Sequence, residues 1–418
     1  MTLDLRTDRT LIRANGGSDR YLVAHFNAPG SDRPHARPPV NVALVIDRSG
    51  SMEGQKIDLA KKAVQMAVAL LRPTDRFAIV AYDDRIEVVV GSTAATAEAK
   101  RQAGRALEKI DARGSTNLGE GWLRGCEQVA AQQDERYISR VLLLTDGLAN
   151  QGIVEPEELR HHARALRSRG VRTTTIGLGE DFNEELLRSM SLAGGGNFYF
   201  VESAGQIADT MMSELQEALD IVARSVALVL RAPEGVLIEH LTEALVEREG
   251  ASTRIVVGDA VSDQEFEIVV RVNFPSGEVE RYAQVQVALD DRDGAMRAMS
   301  EMTWQYADHH RSDVQQRDRT VDRIVARLYA ARAKREAVGL NRHGDFAAAS
   351  SALRGVGDRI RGYAGDDAEL QAIMSALEAE SGLFAARMDE FSRKQAYFAS
   401  SNVSRMRTAD GKARKGHR

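Results

Sequence analysis

Cysteine is nearly absent from this sequence. Cys126 stands alone among 418 residues, so no intramolecular disulfide can form and nothing points to an oxidising compartment. Proline is scarce as well, and four of the eight crowd into PGSDRPHARPP, a connector between domains. No apolar run approaches the roughly 20 residues that a membrane helix requires. The opening stretch, MTLDLRTDRT, places Asp4 and Asp8 where a secretory signal needs a basic and then an apolar segment. An excess of positive charge is also missing. The formal net charge of −5 argues against a general binder of nucleic acid or of anionic membranes. We therefore expect a cytoplasmic protein without a membrane span. What remains is an ordinary globular composition, 43% hydrophobic and 28% charged, with length for two or three domains.

The pattern along the chain changes four times. Residues 1–37 hold two alternating segments, LDLRTDRTLIRA and RYLVAHFNAP, separated by the turn signal NGGSD. From 38 to 222 apolar strands alternate with helices. NVALVID and SRVLLLTDG are apolar almost throughout, which implies a mainly parallel sheet buried on both faces. Residues 223–292 return to two-residue alternation. The expected fold is α/β, a doubly wound, mainly parallel sheet inserted in a β-sandwich built from 1–37 and 223–292. A helical region over 293–403 follows, in which Val321, Ile324, Val325 and Leu328 form one stripe. The basic stretch 404–418 lacks apolar periodicity and reads as a disordered tail.

The chemistry gathers at strand ends. In an open parallel sheet, ligands bind outside the carboxyl ends of the strands, where strand order reverses. VALVIDRSGSM delivers Asp47, then Ser49 and Ser51 in the following loop, and VLLLTDG delivers Asp146. Between them ARGSTNLGEG offers Ser115 and Thr116, flanked by glycines that admit close backbone approach. Two carboxylates with several hydroxyls make an oxygen-only site suited to a hard divalent cation such as Mg²⁺. With so few anionic ligands the ion keeps net positive charge, and an incoming carboxylate can fill an open position.

Asp47-x-Ser49-x-Ser51, Thr116 and Asp146 in TDG resemble the metal-ion-dependent adhesion site of von Willebrand factor A domains. The resemblance covers roughly 40–222. It implies that Ser49, Ser51 and Thr116 supply hydroxyl ligands and that Asp47 and Asp146 act directly or through water. The ion implied is Mg²⁺, or Mn²⁺ or Ca²⁺, and the partner is a protein that completes the coordination with a Glu or Asp. Ser115, Asn117 and Gly147 stand beside these as ligand-binding positions. The β-flanked, helix-extended layout is similar to bacterial and plant proteins with a von Willebrand A core and to inter-alpha-trypsin inhibitor heavy chains.

A non-enzymatic interaction module is the reading this combination favours. An adaptor subunit for a chaperone-like ATPase is an alternative, although the chain holds no Walker motif of its own. An Mg²⁺-dependent phosphotransferase or hydrolase is a further alternative. Aspartyl-phosphate enzymes generally carry a second carboxylate two residues after the nucleophile, and Ser49 occupies that place. No Ser/His/Asp or Cys/His set is visible. Asp83–Asp84 reads as a hairpin turn, and GLGEDFNEE as an acid-rimmed turn. His161–His162 and His309–His310 point about 100° apart on a helix and cannot chelate one ion from one face. Cys126, Trp122 and Trp304 read as packing residues. Ser400, Ser401 and Ser404 lie beside Lys394, Arg405 and Arg407, a setting that a basic-directed kinase could use.

Overall fold

The computed structural model describes residues 2–30 and 38–416, so most of the proline-rich connector lies outside the described residues. The chain divides into one unit of Met1–Asp32 with Ile221–Arg418, and a second of Arg33–Asp220. The first unit opens with β1 (Leu3–Thr7), β2 (Leu11–Arg13) and β3 (Ser18–Asn27). The second begins with β4 (Val40–Asp47), α1 (Gln55–Leu70), β5 (Arg76–Tyr82), β6 (Ile86–Ala94) and α2 (Ala97–Glu108). It continues through α3 (Leu118–Ala130), β7 (Ile138–Thr145), α4 (Pro156–Ser168), β8 (Val171–Leu178), α5 (Glu184–Gly194), β9 (Gly195–Val201) and α6 (Ile207–Leu219).

The sheet of this second unit runs β6-β5-β4-β7-β8-β9. Only the β5–β6 hairpin is antiparallel. β4 and β7 are buried at every position, as continuous apolar strands must be when helices cover both faces. Because β4 is flanked by β5 on one side and β7 on the other, a crevice opens at their carboxyl ends. α1 turns Ile57, Ala60, Ala63, Val64 and Ala67 inward at helical spacing. α4 starts on Pro156 with Glu157 and Glu158 in its first turn, which suits the positive end of a helix. α6 is tied to the sheet through the buried Glu214, which accepts from Arg140 at 2.6 Å, Thr174 at 2.7 Å, and Asn197 and Tyr199 at 2.8 Å. The indole of Trp122 is fully buried and donates to Thr173 Oγ1 at 3.1 Å.

The chain then returns to the first unit with β10 (Ile221–Arg231), β11 (Leu237–His240), β12 (Leu245–Glu249), β13 (Ser252–Val261), β14 (Glu265–Phe274), β15 (Tyr282–Asp290) and β16 (Ala298–Ala307). Two sheets, β1-β3-β14-β11 and β12-β13-β10-β15-β16-β2, enclose one core. β3 pairs with β14 over its whole length, from Ser18 opposite Phe274 to Asn27 opposite Glu265, so strands from both sides of the insert share a sheet. Phe26 and Phe266 stack at 5.0 Å inside it. The helices are α7 (His309–Val314), α8 (Arg319–Arg342), α9 (Phe346–Ala364), α10 (Ala368–Phe384) and α11 (Glu390–Ser404). The stripe Val321, Ile324, Val325 and Leu328 packs on Val23 and Val269, on the sheet face opposite Leu22, Ala24 and Phe26.

Two expectations need correction. The region after 292 is not helical from its start: 298–307 forms β16, which buries Trp304 and pairs with β15. The basic tail is not without structure over 404–416. Arg407 bridges Ala413, and Lys415 bridges Gln264. The Glu265 N–H donates to the Arg414 carbonyl at 2.9 Å, and the Arg414 side chain reaches Glu267 at 3.2 Å. An unfilled strand edge recruits this segment through its backbone, a force that side-chain periodicity does not report. Ser400, Ser401 and Ser404 are buried, which shields them from a kinase. No helix among the described residues is long and apolar enough to cross a membrane.

Candidate metal centre

Asp47 is the last residue of β4 and is completely buried. Its Oδ1 accepts from the Ser49 N–H at 2.8 Å. Its Oδ2 accepts from Thr145 Oγ1 at 2.6 Å and from the Tyr82 hydroxyl at 3.4 Å. Burial pushes the Asp47 carboxyl above its ordinary range, although the Ser49 and Thr145 bonds pull the other way. Tyr82 is raised by its own burial and then by the Asp47 charge. No cationic side chain pairs with Asp47 among the described residues, so a buried carboxylate here relies on neutral donors alone.

The hydroxyls converge beside it. Ser49 Oγ lies 3.1 Å from Ser51 Oγ, and Ser51 Oγ donates to Asp146 Oδ1 at 2.6 Å. Asp146, at the end of β7, is also fully buried, and its Oδ2 accepts from Lys56 Nζ at 2.5 Å. Thr116 is fixed through its backbone: its N–H donates to Asn150 Oδ1 at 3.0 Å, and its carbonyl accepts from the Asn150 N–H at 3.2 Å. Gly147 marks where the three loops meet. A Cβ there would lie 3.4 Å from Thr116 Oγ1 and 3.8 Å from Ser51 Oγ, so its backbone floors the space between those hydroxyls.

The structure thus gathers Asp47, Ser49, Ser51 and Asp146 by direct bonds and brings Thr116 alongside through Gly147. Asn117 is committed elsewhere. It caps α3 by accepting from the Glu120 N–H, and its own N–H donates to the Asp83 carbonyl at 2.9 Å. Ser115 sits half-buried in the same loop.

Several residues that hold this arrangement escape the sequence motif. Asp83, at the end of β5, accepts from Arg113 Nε at 2.7 Å and lies 3.1 Å from Arg48 Nε. Burial opposes its charge, but the Arg113 bond, the Arg85 N–H and the Arg48 charge outweigh burial and set its carboxyl below the ordinary range. Arg48 is itself buried and reaches Glu87 at 2.6 Å. The Arg48 N–H donates to the Tyr82 carbonyl at 2.8 Å, and its own carbonyl accepts from the Arg113 N–H at 2.7 Å. This cluster clamps the Asp47 loop to the Thr116 loop. Glycine suits position 114 because its φ is +69°, in the left-handed region, and a Cβ there would force the Asp84 carboxylate to move. Thr145, Tyr82, Asn150 and Lys56 were equally hidden. The one available signal for Asp83 is its place at the carboxyl end of a strand adjacent to β4.

Oxygen donors alone line the centre, and no group of three or more His, Cys, Asp or Glu side chains with metal-holding geometry occurs among the described residues. Two carboxylates and three hydroxyls fit a hard divalent ion that retains waters, not a thiolate- or imidazole-bound metal. Lys56 offsets Asp146, which leaves the charge of Asp47 for an ion to offset. The loop after β7 exposes Leu148 and Val154.

The model of the von Willebrand factor type A domain matches residues 41–214. Among proteins, the uncharacterised Synechocystis protein sll0103 is 25% identical over 301 residues, 69% of this chain and 70% of its own length. Escherichia coli YfbK is 30% identical over 191 residues, and bovine inter-alpha-trypsin inhibitor heavy chain H1 is 28% identical over 212. The matches take in 45% and 49% of this chain, but only 33% and 23% of those two proteins. Among solved structures, a von Willebrand factor type A protein from Catenulispora acidiphila superposes with a TM-score of 0.70 at 19% identity, covering 95% of this chain and 89% of that one. The ArnB paralog VWA2 from Sulfolobus acidocaldarius gives a TM-score of 0.55 at 17% identity, covering 93% and 99%. At such identities these two likenesses speak to fold. Residues 41–214 match that family model and have the von Willebrand factor type A fold.

Proposed function

We propose that the centre formed by Asp47, Ser49, Ser51, Thr116 and Asp146 holds a divalent cation, Mg²⁺ or in its place Mn²⁺ or Ca²⁺, through which the domain docks an acidic residue of a protein partner. Domains of this family generally mediate protein–protein interaction. The observation that carries the reading is Asp47, a fully buried carboxylate with three neutral donors and no cationic side chain, facing hydroxyls at a sheet crevice. Buried charges are paired or coordinate metals, because an isolated one costs several kcal/mol. When bound, the ion supplies a Lewis-acidic position that a carboxylate oxygen of the partner can fill.

The chain's own residues divide the remaining work. Asp47 and Asp146 set the charge, and Ser49, Ser51 and Thr116 supply neutral oxygens that leave the site net positive once it is loaded. Gly147 floors the space between the hydroxyls, and half-buried Ser115 precedes Thr116 in the same loop. Exposed Leu148, at 53%, offers apolar contact beside the charged position. This division favours binding over turnover, because Ser49 replaces the second carboxylate that an aspartyl-phosphate chemistry requires.

Affinity capture from a lysate tests the reading, comparing the wild type with Asp47→Ala in Mg²⁺ and in EDTA. Partners that vanish in both the mutant and the chelator are ligands of the site, and their acidic residues can then be mutated singly. If every partner survives both treatments, the proposed function fails.

A further inference from the structure

The unit that holds β3, β14 and the carboxyl-terminal helices contains a cleft of about 210 Å³ between the outer face of those two strands and the α8–α9 hairpin. Three arginines line it: Arg271 on β14, Arg317 just before α8, and Arg359 on α9. Asp19 is the one carboxylate in the lining. Arg271 is paired with Asp19 at 2.6 Å, and Arg317 with Asp322 at 2.5 Å. Glu239, at 3.6 Å from Arg271, is 56% exposed and contributes little through solvent. Arg359 has no anionic partner among the described residues, and the buried Nε of Arg271 has no acceptor. The cleft therefore holds one uncompensated positive charge and an unused buried donor.

Its walls are aromatic. The Tyr21 and Tyr329 hydroxyls lie 3.0 Å apart, so one donates to the other and one O–H is left to donate outward. Burial raises the Tyr21 hydroxyl well above its ordinary range and pushes Tyr363 up to about 12, so both remain neutral donors. The Arg317 guanidinium sits 4.7 Å over the Tyr363 ring. Val325, Val356 and Ile360 supply the apolar floor.

Three constraints then converge. The volume lies below the roughly 300 Å³ at which pockets for whole small molecules begin, which excludes a nucleotide. One uncompensated arginine matches a monoanion, and its planar fork matches the two oxygens of a carboxylate. Flat aromatic and branched aliphatic walls match a short apolar stem. We infer that this cleft binds a carboxylate on a short, flat apolar stem, carried either by a free aromatic acid or by a peptide that ends in an aromatic residue.

Calorimetric titration of the full chain tests this, using phenylacetate, its neutral match 2-phenylethanol, and an N-acetylated dipeptide ending in phenylalanine. The expected result is binding of at least one carboxylate, with the alcohol about tenfold weaker or more, as the loss of a charge-assisted bond implies. Arg359→Gln weakens that binding about tenfold, and Arg359→Lys retains part of it. Arg359 is solvent-facing, so both variants should melt with the wild type. Asp47→Ala leaves the binding intact, which separates this site from the metal centre. Tighter binding of the dipeptide assigns the cleft to a peptide terminus, and tighter binding of phenylacetate assigns it to a small acid. No binding of either carboxylate at about 10 mM, equal binding of the alcohol, or full binding by Arg359→Gln overturns the inference.

Discussion

Replacing Asp47 by asparagine should stabilise the metal-free protein while removing its response to divalent cations. The carboxylate is 0% exposed and its donors are Ser49 N–H, Thr145 Oγ1 and the Tyr82 hydroxyl, at 2.8, 2.6 and 3.4 Å. Two good bonds to a charge return about 3–6 kcal/mol, against a burial penalty of several kcal/mol for an ion without a counter-charge. Asparagine keeps the shape and the Oδ1 acceptor for Ser49. Its amide turns the Oδ2 acceptor into a donor, which the Thr145 hydroxyl can meet by rotating, while Tyr82 retains the Leu144 carbonyl at 3.4 Å. Removing the penalty and losing part of the bonds leaves a net gain of about 1–2 kcal/mol. For a unit of this size that is a rise of about 2–8 °C in melting temperature. Scanning calorimetry in EDTA and in excess Mg²⁺ reads both parts. The wild type should gain on Mg²⁺ addition, and Asp47→Asn should melt higher in EDTA and not move with Mg²⁺. A variant that melts lower than the wild type in EDTA refutes the argument that Asp47 lacks a counter-charge.

Lys56→Met removes the ammonium 2.5 Å from Asp146 and should tighten Mn²⁺ binding about tenfold by calorimetry, a figure already reduced for the partial exposure of that lysine; unchanged affinity would contradict it. Asp83→Asn leaves Arg48 buried against Glu87 alone and should cost about 3 kcal/mol at pH 7 in urea unfolding. Because the folded Asp83 carboxyl lies below its ordinary range, its contribution is present at neutral pH. It is lost as the pH falls through the folded value, so the gap between wild type and Asp83→Asn should close in strong acid. Trp304→Ala should cost about 3–5 kcal/mol, since Trp304 is fully buried and donates to Thr7 Oγ1 at 3.0 Å; a loss under 1 kcal/mol would argue against β16 as a core strand.

The two central strands were legible because they are apolar almost throughout, and the strand-end rule then pointed at Asp47 and Asp146 without any coordinates. The supporting cluster was not. Asp83 and Asp84 look like any hairpin turn, and the role of Asp83 depends on Arg48 and Arg113, which the loops bring to it from 35 and 30 residues away. Lys56 was hidden for a related reason: a lysine in the first turn of a helix gives no sign that a strand end lies opposite. β16 was obscured because Met299 alternates into solvent at 77% exposure and long helices follow directly. The end of the tail, 414–416, is held by backbone bonds to 263–265, and composition carries no record of an edge waiting for a partner.

The central claim, that Asp47 and its neighbours form a divalent-cation site, meets its most direct test in an electron paramagnetic resonance titration with Mn²⁺. One bound Mn²⁺ per chain is expected, displaced by Mg²⁺ and absent from Asp47→Ala that is shown to be folded by circular dichroism. Full Mn²⁺ binding by that variant, or none by the wild type, would contradict the account.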